Sequence, residues 1–287
     1  MRAMEPIASD LAPGDTWAAA MDWTGLRIER IRSTRDPRFD ALYTRLWAEF
    51  GERGEMEQRD VIAERFTWGA QQAGSPYAFL YEMLAVLRAQ ELIGMRDHTA
   101  IVAMPCAGSA QPVSIVVHLS HALVLPTARG HGLGGWLRAL PLQTARACAE
   151  RMGIPAGAHP ITLVAEMEHL DPANDATARR RRSYGRAGFL EIDPGFVGYA
   201  QPDFRSRAAI DASAVRPVPL ALVVRRVGRE DERSMPGAEV RAIVDALYAM
   251  YEATMPPAHM ASLRAAAEQR RQADAIVALT PLEPRLE

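Results

Sequence analysis

Arg129, Gly130, His131, Gly132, Leu133, Gly134 and Gly135 follow one another where a long apolar run ends, and together they suit one task. Where side chains are missing at the start of a helix, backbone N–H groups turn inward and bind an anion. His118 and His121 stand inside the preceding apolar run. An imidazole, which ordinarily titrates near neutrality, can take up a proton there. Further on, Glu166 and Glu168 close a second apolar run, and Tyr184 precedes Gly188-Phe189. A carboxylate can accept a proton and a phenol can give one. The combination is that of a phosphate-bearing ligand and a proton transfer. Each part also has a plainer use. A glycine turn lets helix and strand pack closely, a strand histidine is ordinarily a hydrogen-bonded core or surface residue, and Glu166 and Glu168 can pair with the Arg179–Arg182 run. His118 and His121, in one uninterrupted strand, are expected on opposite faces.

These residues need elements to position them. Residues 115–125 are β-branched and apolar enough for a buried strand, which Pro126 stops. Leu133, Trp136, Leu137, Leu140, Thr144, Ala147 and Cys148 recur at spacings of three and four, the stripe of a helix of about five turns. Upstream, residues 26–31 alternate as a half-buried strand, residues 39–50 and 61–66 suggest two helices, and residues 81–87 and 92–102 read as two strands. An acidic cluster, Glu49, Glu52, Glu55, Glu57 and Asp60, lies between the two helices. Downstream come a strand at 161–166, a helix opening at 171–174 and ending near Gly188, and a strand at 218–227. Residues 240–251 and 261–275 read as two further helices.

Two phosphate-binding patterns overlap in the turn. Gly130, Gly132 and Gly135 fit the dinucleotide fingerprint G-x-G-x-x-G, which needs an acidic residue at the end of the next strand about 20 residues on. That position falls in Gly153-Ile154-Pro155, a loop. Arg129, Gly132 and Gly134 fit R-x-x-G-x-G, and with the run-in Val124-x-Pro126-x-x-Arg129-Gly130 the stretch resembles the pyrophosphate loop of the GNAT superfamily of acyl-CoA-dependent N-acyltransferases. The order strand, two helices, three strands, helix, strand, helix, strand over residues 23–228 is similar to that superfamily's. Tyr184-Gly185-Arg186-Ala187-Gly188-Phe189 resembles its second landmark, Y-x-x-x-G-F. Glu166-Met167-Glu168 ahead of the Arg-rich helix, followed by Tyr199-Ala200-Gln201-Pro202, resembles one bacterial group within it.

The resemblance implies an α/β (α+β) fold with a mixed, mostly antiparallel central sheet and flanking helices. Residues 1–22 are then an N-terminal extension, 23–228 the acyltransferase domain, and 229–287 a C-terminal helical extension that covers the sheet or mediates a homodimer. It implies transfer of an acetyl group from acetyl-CoA to a primary amine of a small molecule or peptide, without a metal. The alternative is a non-catalytic acyl-CoA-binding sensor or regulatory module. Backbone groups of Leu123, Val124 and Leu125 would pair with the pantetheine arm, and Arg129, Gly130, His131, Gly132, Leu133 and Gly134 would hold the pyrophosphate. Asn174 would touch the arm, although the family's asparagine sits nearer the tyrosine. Tyr184 would be the acid. His118 occupies a position where several members carry the base; Ser120 stands where others carry it but cannot itself act as a base at neutral pH, and Glu168 and Glu166 are the rivals of His118.

Composition narrows the classes. With 287 residues, 48% of them apolar, the chain fills a sizeable core. A net charge of -2 argues against general nucleic-acid affinity. The consecutive Arg179, Arg180, Arg181 and Arg182 do not restore it, since neighbouring helical residues point to every side. All 33 Lys and Arg residues are Arg. The two cysteines, Cys106 and Cys148, suggest neither a disulfide frame nor a thiolate zinc site. An acyl-enzyme on Cys106 would be a second chemical route. No stretch approaches the ~20 apolar residues of a membrane span, and the N-terminus has no signal-like apolar core. The expectation is a soluble cytoplasmic protein.

Overall fold

The computed structural model describes residues 4–68, 75–104, 113–155, 157–171, 174–269 and 275–282. The N-terminal segment carries a 3-10 turn (Ala8–Asp10) and a short helix α1 (Thr16–Ala19), capped by the Asp15 carboxylate, which accepts from Ala18 N–H at 3.1 Å. Strand β1 (Leu26–Ile31) follows, then α2 (Phe39–Phe50), α3 (Arg59–Arg65) and the long hairpin β2 (Tyr77–Arg88) and β3 (Glu91–Ala103). Next come β4 (Ser114–His118), β5 (Ala122–Val124), α4 (Leu133–Ala139), α5 (Pro141–Arg151), β6 (Ile161–Met167), α6 (Asp175–Arg186) and β7 (Leu190–Ile192). The remainder is β8 (Ala200–Gln201), α7 (Arg207–Asp211), β9 (Val218–Pro219), β10 (Ala221–Arg226), β11 (Ser234–Pro236), α8 (Gly237–Glu252), α9 (Pro257–Gln269) and β12 (Ile276–Pro281).

The main sheet runs β1-β2-β3-β4-β6-β10-β7-β12-β11, with β5 beside β3. Among its described pairings only β4 with β6 is parallel, because the kinked helix of α4 and α5 carries the chain across one face between them. The sheet is thus mixed and mostly antiparallel with flanking helices, the GNAT-like architecture that the resemblance implies. Strand periodicity assigns the two faces. Val116 and Val164 pack with Phe39, Leu46, Ile62 and Leu247 of α2, α3 and α8, whereas Val117 and Leu163 pack with Leu142, Ala145 and Cys148 of α5.

The expected five-turn helix forms with a kink. Pro141 has no N–H to donate and its ring displaces the preceding turn, but Leu140 keeps helical torsions, φ -51° and ψ -37°, so α4 and α5 continue one another.

The expected single strand over 115–125 is divided. Thr99 pairs with His118 and Arg96 with Ala122, so three steps along β3 (99 − 96) face four along its partner (122 − 118). One extra residue makes a β-bulge at residues 119–121. Asp97 fixes it from the opposing strand, where its carboxylate accepts from the His121 backbone N–H at 2.8 Å, from His121 Nδ1 at 3.0 Å and from Tyr81 OH at 3.0 Å. Beyond the bulge β5 stays on β3, while β6 runs on beside β10. The strands part into a notch through the sheet.

The extra residue also reverses side-chain phase. His121 lands on the same face as His118, not the opposite one, and both line one cavity.

The C-terminal segment is more than a helical extension. β12 pairs with β7 and with β11, so β11 and β12 complete the sheet; of the helix expected to reach Ala275, α9 is described to Gln269, residues 270–274 lie outside the described residues, and Ala275 itself is not helical. Residues 4–21 have little secondary structure of their own, yet they lie against α4, where Trp136 Nε1 donates to Ala18 O at 2.8 Å.

Candidate active site

The notch opens into a cavity of about 550 Å³ that reaches both faces of the sheet. On the α2, α3 and α8 side its centre is the buried carboxylate of Glu166. Oε2 meets His118 Nε2 at 3.1 Å and accepts from Tyr251 OH at 2.9 Å, and Oε1 accepts a short hydrogen bond from Tyr199 OH. Burial alone would raise the Glu166 carboxyl; the His118 imidazole and the hydrogen bonds from His118, Tyr199 and Tyr251 outweigh it and hold the group below the usual carboxylate range. For Tyr199 and Tyr251, burial and the Glu166 charge act together and push both phenols well above their ordinary value. They therefore donate to Glu166 as neutral hydroxyls.

This arrangement sets the tautomer of His118. An ionised Glu166 only accepts, so Nε2 must carry the hydrogen. In neutral His118, Nδ1 then accepts from Ser120 Oγ, 3.1 Å away. The bulge places Ser120 on the cavity wall, and the result is a line of three: Ser120, His118, Glu166.

His121 has a different task. Burial opposes its charge, but the Asp97 carboxylate beside it and the hydrogen bonds to Asp97 push it up to about 9. Both ring nitrogens donate, Nδ1 to Asp97 and Nε2 to Glu55 O at 2.8 Å. The cation pins the α2–α3 loop to the bulge. Of the acidic cluster, Glu49, Glu55 and Glu57 line the cavity, and Glu57 is also buried in an ion pair with Arg65. Burial raises the Glu55 carboxyl against the pull of Arg53.

The opposite side of the notch is cationic. Tyr184 OH accepts from Arg96 Nη2 at 3.1 Å, and the Arg138 guanidinium lies 4.9 Å over the Tyr184 ring. Burial would raise this phenol; Arg96 and Arg138 more than offset it and hold it below its ordinary value. Both arginines are buried, and Arg96 Nε and Nη1 and Arg138 Nε have no protein partner. Burial lowers Arg138 to about 10, which leaves it protonated at neutral pH.

Strand geometry decides which backbone groups face the notch. Leu125 N–H donates to Ile93 O at 3.0 Å and Asp97 N–H to His121 O at 3.1 Å, so antiparallel alternation turns the polar groups of Leu123 and Leu125 toward β3. Ala122 and Val124 present theirs to the notch, which corrects the expected set. Arg129 folds back so that Nε donates to Val124 O at 3.0 Å. Gly132, with φ of 84°, is the N-cap of α4, in a left-handed conformation suited to glycine, and Gly134 stands behind it. A second cavity, of about 410 Å³, continues past the turn and shares Val124, Arg129 and Gly134 with the first.

Other expected residues fall elsewhere. His131 is exposed and lines neither cavity, and Leu133 is buried against the core beneath β2 and β3 and borders only the second cavity. Asn174 is the N-cap of α6: its Oδ1 accepts from Ala176 and Thr177 N–H at 3.0 and 3.2 Å, which occupies it away from the notch. Glu168 stands at the cavity mouth in an ion pair with Arg180 at 2.7 Å. Cys106 lies outside the described residues, and burial pushes the Cys148 thiol up to about 12, so it is not a nucleophile. Tyr199, Tyr251 and Arg96 were not anticipated. Among the described residues, no group of three or more His, Cys, Asp or Glu is placed to hold a metal ion, and no helix is long and apolar enough to cross a membrane.

No family model matches the chain, and no curated protein matches it either. Among solved structures it is similar to a GNAT-family protein from Desulfovibrio desulfuricans, at 17% identity over 70% of this chain and 99% of that one, with a TM-score of 0.36. An acyl-CoA N-acyltransferase from Pseudomonas aeruginosa shares 17% identity over 70% of this chain and 99% of its own, with a TM-score of 0.32. An aminoglycoside acetyltransferase from an uncultured soil metagenomic sample shares 13% identity over 56% of this chain and 87% of its own, with a TM-score of 0.32. Identity and superposition are low in all three.

Proposed function

We propose that the protein transfers an acyl group, acetyl in the first instance, from acyl-CoA to a primary amine by direct attack. The observation that carries this reading is the notch. It joins a glycine turn and a free strand edge on one side to a proton-accepting line on the other. The residues fit the coenzyme in three respects: an edge at Ala122 and Val124 that no described strand covers, two buried guanidiniums with unpartnered nitrogens, and a glycine turn that is open at Gly130, where a Cβ would meet nothing within 4 Å, while the N-terminal segment covers it at Gly132. Ala122 and Val124 would pair with the pantetheine amides, and Arg129 with the turn would hold the pyrophosphate.

Acyl-CoA supplies an activated acyl thioester; the chain supplies position and proton transfer. Ser120 Oγ takes the proton of the attacking amine as it passes its own to His118 Nδ1. Glu166 steadies the imidazolium, and Tyr199 and Tyr251 keep that carboxylate ionised. Across the notch, Tyr184 accepts from Arg96, which leaves its own hydrogen free to be given to the departing thiolate. Glu166, expected with Glu168 as a rival base, acts in this scheme through His118, and Glu168 has no part in it. The acidic wall of Glu49 and Glu55 favours a cationic acceptor.

A thiol-release screen with acetyl-CoA against polyamines, amino acids, aminoglycosides and peptides tests the proposal. Amine-dependent release of free thiol is expected. Binding of acetyl-CoA without release for any amine would favour the sensor instead, and absence of binding would remove both.

A further inference from the structure

The 410 Å³ cavity beyond the turn shares Val124, Arg129, Gly134 and Arg138 with the site above and is also lined by Trp17, which that site does not use. Trp17 is 63% exposed. A single exposed apolar residue needs no explanation by itself. What distinguishes Trp17 is that it is both exposed and fixed. Its Nε1 donates to Gly130 O at 3.0 Å, Asp15 caps the turn that carries it, and its neighbour Ala18 is fully buried with its carbonyl held by Trp136. The same cavity is lined by Arg129, Arg138 and Arg186, with one carboxylate, Asp15, whose Oδ2 lies 3.8 Å from Arg138. An aromatic face and an excess of guanidinium is the lining that a phosphorylated purine nucleoside requires.

Connectivity says which end of the ligand reaches it. A pyrophosphate joins the pantetheine arm to the nucleotide. If the arm lies along β5 toward Tyr184 and the pyrophosphate sits on the turn, the nucleotide leaves the turn in the other direction, into this cavity. We propose that Trp17 is a stacking platform for the adenine of the coenzyme, with Arg186 facing the phosphate on its ribose. The N-terminal segment then completes the coenzyme site. This rests on the acyl-CoA reading above.

The test compares two probes by calorimetry on the full chain: acetyl-CoA, and S-acetyl-4′-phosphopantetheine, which lacks the nucleoside. Trp17→Ala is expected to weaken acetyl-CoA by about tenfold, the scale of one lost base stack, and to leave the shorter thioester within about twofold. Trp17→Phe, which keeps a ring but not the N–H donated to Gly130, is expected to retain acetyl-CoA within about threefold of wild type. Equal acetyl-CoA affinity in wild type and Trp17→Ala would overturn the platform. So would an equal loss for both probes, which would make Trp17 only a prop for the turn. Wild-type protein that binds neither probe would instead overturn the acyl-CoA reading itself.

Discussion

The two walls of the notch are built on opposite principles. On the α4 and α6 side, Arg96 and Arg138 are buried cations around one phenol, beside a turn whose backbone N–H groups add partial positive charge. On the other side, Glu166 is a buried anion held by an imidazole and two phenols, with Glu49 and Glu55 nearer the mouth. The sheet separates the two charge sets, and the notch is where they meet. A wall of cations suits an anionic coenzyme and a departing thiolate; a wall of anions suits an amine and the protons it sheds. Each wall in isolation would repel the other's ligand.

The anionic wall is broken most severely at its centre. Glu166→Gln is isosteric, but an amide presents one acceptor oxygen where the carboxylate offered two, and three donors converge there. His118 loses the partner that fixes its tautomer. A fall in kcat of about 10³-fold is expected, with acetyl-CoA affinity kept within about twofold. Stopped-flow or steady-state thiol release would measure it. A variant with wild-type kcat would remove Glu166 from the proton line.

The bulge is a second place to strain that wall, through pH. His121 rises from an ordinary 6.5 to about 9 in the fold, so its contribution to stability is complete below pH ~6.5 and is lost as pH climbs through about 9. Asp97 is held far below the usual carboxylate range, so its share is present above pH ~4 and is lost only in strong acid. A rise of that size is a few kcal/mol at ~1.4 kcal/mol per pH unit. Urea midpoints are therefore expected to drop between pH 6 and 9.5 in the wild type. His121→Asn is expected to be less stable at pH 6 and nearly flat over the same interval. A parallel drop in the variant would assign the pH dependence to other groups.

The walls also differ in how far the sequence exposed them. The cationic wall is largely local: the turn and helix occupy consecutive positions from Arg129 onward, and Tyr184 sits in a short landmark of its own. Glycine spacing and helical periodicity report such features directly. Arg96 stands in a polar run, Arg96-Asp97-His98-Thr99, inside an otherwise apolar strand; that run marked buried polar residues, but not which of them faces the notch. The anionic wall is assembled from β4, β6, the segment before β8, and α8, so Tyr199 and Tyr251 meet Glu166 across separations of 33 and 85 residues. Periodicity carries no information about such meetings. The bulge had a faint signal, the polar Ser120-His121 inside an apolar run, but a one-residue insertion is visible only against the partner strand. β12 was missed for a related reason. Val277 and Leu279 alternate as a strand should, yet the stretch is short and follows an Ala-rich helix.

Two substitutions sharpen the cationic wall. Tyr184→Phe keeps the ring under Arg138 and removes the hydroxyl that Arg96 holds, so kcat is expected to fall by about 10²-fold while coenzyme affinity stays within about threefold. Unchanged kcat would leave the thiolate to the arginines alone. For the turn, Gly132 is a poor probe, since a Cβ there would come within 2.6 Å of Trp17 O and displace the N-terminal segment. Gly134 is cleaner: its Cβ would meet only Arg138 Nη1, at 3.7 Å. Gly134→Asp places a like charge where phosphate is expected, and acetyl-CoA affinity should fall by more than about tenfold, or ~1.4 kcal/mol, without unfolding. A folded variant with wild-type affinity would refute the phosphate site.

The smallest effect is expected at the mouth of the anionic wall, and it tests whether charge there selects the acceptor. Glu49, Glu55 and Glu57 all line the cavity; Glu57 is buried against Arg65, whereas Glu49 and Glu55 share the more exposed Arg53. The isosteric pair Glu49→Gln with Glu55→Gln removes both rim carboxylates together with their ion pairs to Arg53, and leaves the Glu57–Arg65 pair intact. Glu49 is exposed and Glu55 half-buried, so both act partly through solvent and each is worth a fraction of a kcal/mol; KM for a polycationic amine should rise about threefold with kcat unchanged. Screening supplies the control. The difference between variant and wild type should shrink as ionic strength rises from ~0.05 to ~0.5 M, because the Debye length falls below the width of the mouth. A KM that does not move, or one that moves equally at every salt concentration, would mean that the rim shapes the cavity without steering the amine.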